Sequence, residues 1–72
     1  MNDEVYLRKL GEKIVGLRKT KGITQLELAE RLATKNTQIR RIERGTVNST
    51  INMLRKIAKE LGISVSKLVN LD

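Results

Sequence analysis

Apolar residues recur three and four positions apart along most of this chain, and only glycine interrupts them, since the sequence contains no proline. That spacing is one turn of α-helix, so each run lays one apolar stripe on one helix face. Gly22, Gly45 and Gly62 each follow such a run. A glycine there suits the left-handed position that ends a helix and satisfies its last carbonyls. The chain therefore divides into short helices with tight ends. It forms a single domain, residues 1–72, with no linker, repeat or low-complexity stretch. A domain of this size buries only about 60% of the surface its unfolded chain exposes, so it is expected to be marginally stable alone and to gain from a partner subunit.

Five helices are predicted. The first runs from Asp3 or Glu4 to Lys21, with Leu7, Leu10, Ile14 and Leu17 as its stripe. Gly11 and Gly16 lie inside it at up to ~1 kcal/mol each relative to alanine, with close packing as the candidate reason. The second starts at Thr24. With Glu27 three residues on, Thr24 makes a capping box, and Ile23 and Leu28 are placed for a hydrophobic staple. The small Ala29 faces inward with Leu28 and Leu32, where another helix must come close. The third runs from Asn36 to Arg44. The fourth covers Ile51 to Leu61, capped by Thr50 or Ser49, with Leu54, Ile57, Ala58 and Leu61 inside. The fifth is short, Val65 to Asn70, with Ser64 as its cap. This is an all-α chain folded as a compact five-helix bundle.

Composition removes several function classes. The apolar residues, 39% of the chain, are almost all aliphatic, with one Tyr and no Phe or Trp. The aromatic platforms that stack on single-stranded nucleic acid are missing. With no Cys and no His, there is no disulfide, thiol nucleophile or zinc site, and the commonest general base is gone. Ser, Lys and Glu form no constellation, so an enzyme, a metal and a cofactor are not expected. There is neither a run of about 18 apolar residues nor a charged-then-apolar leader, so no membrane span or membrane partner is expected and the cytoplasm is the expected compartment.

The net charge is +7. A surplus of that size either favours polyanionic partners or serves solubility alone. Its distribution helps decide. Between Ala33 and Asn48 stand Lys35, Arg40, Arg41 and Arg44 against one acid, Glu43. On a helical wheel of about 100° per residue, Ile42 and Glu43 fall within about 60° of Ile39, which makes that side the buried one. Thr37, Arg41 and Arg44 fall opposite, Arg40 flanks them, and Asn36 sits at the N-terminal tip. A short helix with one buried side and amides and guanidinium groups on the other suits the DNA major groove.

Two segments carry a family resemblance. One is Gly22-Ile23-Thr24-Gln25, continuing to Leu28-Ala29. The other is Ile39 to Gly45, with Ile42-Glu43 inside it. They stand 10 residues apart, with an amphipathic helix following. Together they resemble the Xre/Cro-type helix-turn-helix domains of phage repressors and bacterial regulators, across about residues 10–69. The resemblance implies a lambda-repressor-like five-helix fold with its helix-turn-helix unit at 24–44, binding double-stranded operator DNA as a homodimer. It implies a phosphate contact from Gln25, base contacts from the positions of Asn36, Thr37 and Arg41, and a pairing of Arg18 with Glu43. Two positions depart from the family pattern. Ala33 stands where the turn usually has Gly, so either the turn has another geometry or it accepts ~1 kcal/mol or more of strain. Asn48-Ser49-Thr50 stands where a proline is common, which loosens the loop but leaves the Thr cap.

Within this frame Arg41 is the leading base-reader, able to chelate O6 and N7 of guanine, with a phosphate contact as its alternative. Thr37 suits a thymine methyl or a phosphate. Asn36 suits adenine, but as a helix-start residue it serves equally as the N-cap, the preferred reading. Lys35, Gln38, Arg40 and Arg44 are assigned to phosphates. Gln25, at a helix N-terminus, joins them, as does Asn48 in the loop with Thr46. The short fifth helix carries more apolar residues than closure needs, so Val65, Leu68, Val69 and Leu71 are the candidate dimer interface; the alternative is that Val65 and Leu68 close the core. The function expected is a regulator reading an inverted repeat as a homodimer, in the manner of a restriction-modification controller or a small phage repressor. The alternative is an antitoxin or interaction module that also binds its operator, with residues 1–9 and 69–72 free to meet a toxin.

Overall fold

A computed structural model describes residues 3–71. The outermost residues of both candidate toxin-binding tails, Met1, Asn2 and Asp72, lie outside the described residues. The elements are α1 (Asp3–Thr20), α2 (Gln25–Arg31), α3 (Asn36–Arg44), α4 (Ile51–Glu60) and α5 (Val65–Val69). Among the described residues every regular element is a helix, and no helix is long and apolar enough to cross a membrane.

The helix ends follow local chemistry. Thr24 Oγ1 accepts from the Glu27 N–H at 3.0 Å while Glu27 Oε1 accepts from the Thr24 N–H at 3.2 Å, which completes the capping box. Thr50 rather than Ser49 caps α4, accepting from the Met53 N–H at 3.1 Å. Ser64 caps α5 through the Lys67 N–H at 3.2 Å. Gly22, Gly45 and Gly62 all have positive φ, as expected of residues that end helices. The predicted ends of α1, α4 and α5 each move in by one residue, to Thr20, Glu60 and Val69. The N-cap of α3 is Lys35, without a side-chain cap bond. Asn36 is one residue inside the helix, so the preferred cap reading of Asn36 is corrected.

Ala33 sits at φ +54°, and the turn before α3 keeps the left-handed geometry that glycine usually supplies. The chain accepts the strain, of order 1 kcal/mol, because the turn satisfies the end of α2. The Ala33 N–H donates to Glu30 O at 3.1 Å and the Thr34 N–H to Ala29 O at 2.9 Å.

The core is aliphatic throughout. Ile14, Leu28, Ile39, Ile57, Leu61 and Leu68 are its largest fully buried side chains, one or more from each helix or its end. The Cα radius of gyration, 11.0 Å, matches the ~11 Å expected of a compact chain of this length. Gly11 explains how α1 and α3 approach: a Cβ there would lie 2.3 Å from the Glu43 carbonyl oxygen. Gly45 has a second reason to be glycine, since a Cβ would lie 2.6 Å from the Arg8 backbone. Gly16 has nothing within 4 Å, so close packing explains Gly11 and not Gly16.

The C-terminal end is tied to α1. Tyr6 Oη donates to Val69 O at 2.7 Å, and Lys13 Nζ donates to Asn70 O at 2.8 Å and to Lys67 O. Leu68 is wholly buried within the single chain, while Val65, Val69 and Leu71 are half-buried against the core. Leu68 therefore has no area left for a partner and is corrected from interface to core. Among the described residues the large apolar side chains left exposed are Leu26 on α2 and Ile51 at the start of α4.

Candidate nucleic-acid interface

The periodicity of α3 holds in three dimensions. Ile39, Ile42 and Glu43 are buried, and Thr37, Arg40, Arg41 and Arg44 are exposed. What locks α3 in this orientation is a buried polar cluster. Arg18 Nε lies 2.7 Å from Glu43 Oε2, and Arg18 Nη2 donates to Glu43 Oε1 at 3.1 Å. The third guanidinium nitrogen, Nη1, donates to Ile23 O at 2.8 Å. Gln25 Nε2 donates to the same Glu43 Oε1 at 2.7 Å. One carboxylate on α3 thus joins the end of α1 to the start of α2. A forked, multiply bonded pair of this kind fixes both partners' orientation as well as their charge.

The link changes the reading of Gln25. Its side chain is half-buried and one of its two amide N–H donors is committed to Glu43, which leaves one for a phosphate. Asn36 changes too. Its Oδ1 is buried with no hydrogen-bond partner. A bidentate pair with adenine needs that oxygen as the acceptor, so Asn36 reads a base in that way only after its side chain turns.

The outward side of α3 forms one wall of an open groove. Lys35, Thr37, Gln38 and Arg41 line it from this side, and Asn48, Thr50 and Met53 line the other. Ala33 and Thr34 of the turn close one end. Arg40 and Arg44 stand outside this groove, exposed on the flank of α3. Thr34, Thr50 and Met53 were not among the residues expected from sequence. Thr50 and Met53 belong to a different helix, and only their position one turn apart beside the Asn48 loop hinted at a shared face. Among the described residues the ion pairs are Arg18–Glu43 and a looser Arg31–Glu60 pair at 3.9 Å. Lys35, Arg40, Arg41 and Arg44 therefore present charge with no carboxylate against it. Among the described residues no His, Cys, Asp and Glu cluster fit for a metal ion occurs.

A short outward helix, set by a capped helix and a tight turn and bearing unopposed arginines, defines a helix-turn-helix DNA-binding regulator. The helix-turn-helix family model HTH_3 matches residues 16–68, and this chain belongs to that family. An immunity repressor protein of Bacillus phage phi105 is 35% identical over 60 residues, 83% of this chain; the chain spans 42% of that repressor's length. The uncharacterized HTH-type transcriptional regulator y4dJ of Sinorhizobium fredii is 38% identical over 64 residues, covering 88% of this chain and 83% of that protein. Among solved structures, the restriction-modification controller protein C.AhdI from Aeromonas hydrophila aligns with a TM-score of 0.82 at 31% identity, over 86% of this chain and 94% of the controller. The controller C.Esp1396I aligns at 0.77 and 34% identity, over 89% and 86%. By their names these relatives are a repressor, a transcriptional regulator and two controllers. The antitoxin alternative draws no support from them.

Proposed function

We propose that this chain is a sequence-specific regulator that binds an inverted-repeat operator as a homodimer. The observation that carries the reading is the groove in which Thr37 and Arg41 stand together on an arginine-bearing helix locked in place by Glu43. α3 enters the major groove. Arg41 and Thr37 meet base edges, with Asn36 joining them once its side chain turns. Lys35, Gln38, Arg40, Arg44, Asn48 and the free N–H of Gln25 meet phosphates. Two copies related by a two-fold axis read half-sites about one helical turn, ~34 Å, apart. The half-buried Val65, Val69 and Leu71 form the dimer surface in this proposal. The likeness to two restriction-modification controllers, each aligned over most of its length, favours a regulator of that kind.

Selection from random duplexes, repeated with two variants, tests the reading. Arg41→Ala is expected to relax preference at one symmetric pair of positions, a loss of ~1–3 kcal/mol of discrimination. Arg44→Ala is expected to weaken all duplexes alike and to lower the salt slope by ~0.9. If Arg41→Ala keeps every base preference and shifts only the slope, Arg41 holds a phosphate. If neither variant changes binding to any duplex, α3 is not the recognition element. Sedimentation at tens of micromolar tests the dimer: a monomer unchanged by added operator rejects it.

A further inference from the structure

The outward side of α4 is not used by the core, by the capping bonds or by the recognition groove. It exposes Arg55, Lys56 and Lys59, which line one cleft with Asn52. No carboxylate and no apolar side chain lines that cleft. Lys56 and Lys59 also line a second depression, shared with Arg31, Glu60, Ala33 and the buried Leu32. Its one acid, Glu60, already faces Arg31. Ala33 in turn borders the recognition groove. The three hollows therefore adjoin through shared residues, and one basic band runs from Lys35 and Arg41, past the turn, onto α4.

We infer that this band on α4 is a second phosphate-binding surface for the same duplex, engaging backbone outside the bases read by α3. The inference rests on the duplex-binding reading above. From Arg55 to Lys59 the helix rises ~6 Å, comparable with the distance between neighbouring phosphates on one strand, so three cations on long, flexible side chains can reach a short run of backbone. Three adjacent charges, whose one neighbouring acid, Glu60, faces Arg31, repel one another until an anion opposes them. An acidic protein would supply that charge too, but protein interfaces also bury an apolar or aromatic centre. No apolar side chain lines the Asn52 cleft; the exposed Ile51 stands beside it at the start of α4, a single side chain and not the centre of an interface. A backbone of phosphates needs only cations, and it is already present at the other end of the band.

The test compares two triple variants with the wild type on the operator found by selection. One is Arg55→Gln, Lys56→Gln, Lys59→Gln, in which glutamine keeps helix propensity. The control is Lys9→Gln, Lys19→Gln, Lys67→Gln, which removes the same charge from exposed positions on α1 and α5. Each phosphate-bound cation removed lowers the slope by ~0.9, so between 50 and 200 mM salt the α4 triple variant should lose about 40-fold less affinity than the wild type does. The single variant Lys56→Gln should lose about 3.5-fold less, which reads the effect even if the triple variant folds poorly. The selected motif should not change. The control should keep nearly the wild-type slope. Equal slopes in both triple variants overturn the inference, because net charge alone then explains the effect. A wild-type slope in the α4 variant also overturns it, and loss of binding to polyglutamate in that case assigns the surface to an acidic polypeptide. Failure of the wild type to bind any duplex overturns the function proposed above and this surface with it.

Discussion

Replacing Glu43 with alanine removes the acceptor of three hydrogen bonds at once: 2.7 and 3.1 Å from Arg18 and 2.7 Å from Gln25. The guanidinium of Arg18 stays buried, keeping only the Ile23 carbonyl at 2.8 Å. A buried charge stripped of its partner in this way costs ~3–5 kcal/mol. At ~0.05–0.15 kcal/mol per residue, a chain of this length has ~4–11 kcal/mol of stability in all. The substitution should therefore remove about a quarter of it or more, and in a domain at the low end it unfolds the chain. Urea melts at 25 °C, followed by far-ultraviolet circular dichroism, read the loss as a lower midpoint at unchanged slope. A second variant separates charge from packing. Arg18→Met with Glu43→Leu removes both charges and fills similar volume, and it should come out near the wild type or above it. A loss of less than ~0.5 kcal/mol for Glu43→Ala would show that the pair behaves as an exposed surface ion pair. A double variant as unstable as the single one would show that the orphaned charge is not the cause. Either result refutes the account of how α3 is held.

Three other outcomes follow from particular positions. Gly11→Ala sets a Cβ against backbone atoms of Glu43 and Ile42 at 2.3 to 2.8 Å and should cost ~1–3 kcal/mol or more by prising α1 from α3, whereas Gly16→Ala, with nothing within 4 Å, should gain ~0.5–1 kcal/mol; equal effects in thermal melts would contradict the packing described. Ala33→Gly should raise stability by up to ~1 kcal/mol, the relief of left-handed strain less the added unfolded-state entropy, and a lower melting temperature would argue against strain at Ala33. The Thr24 backbone N–H and then its hydroxyl, with a smaller effect from Arg31, hold the Glu27 carboxyl below its ordinary value of 4.5. A depressed folded value means that the cap's contribution is complete above about pH 4.5 and fades as pH falls through the folded value. Glu27→Gln should therefore flatten the acid limb of the stability profile, and an unchanged limb would show that Glu27 is not linked to folding.

The number of helices was legible in the residues alone, and the ends predicted for them held to within one residue. Thr24 with Glu27, Thr50, Ser64 and the three positive-φ glycines act on backbone groups within a few residues, so tertiary context had little to add. The outward side of α3 was legible too, because a helix has a period and only one side of this one is apolar. The rest waited on how the helices meet. Nothing local shows that Gly11 must be glycine, since the oxygen that excludes a Cβ belongs to Glu43, far along the chain. The half commitment of Gln25 to Glu43, the inward turn of the Asn36 oxygen and the far wall of the groove at Thr50 and Met53 have the same origin. Leu68 shows the limit most directly. A surplus of apolar residues on a short helix says that they must be covered; whether this chain or a second copy covers them depends on where α5 lands, and here it lands against α1 and α4. Caps and periods are properties of neighbours along the chain. Contacts between elements are set by how five short helices share one small volume, which no single stretch of sequence encodes.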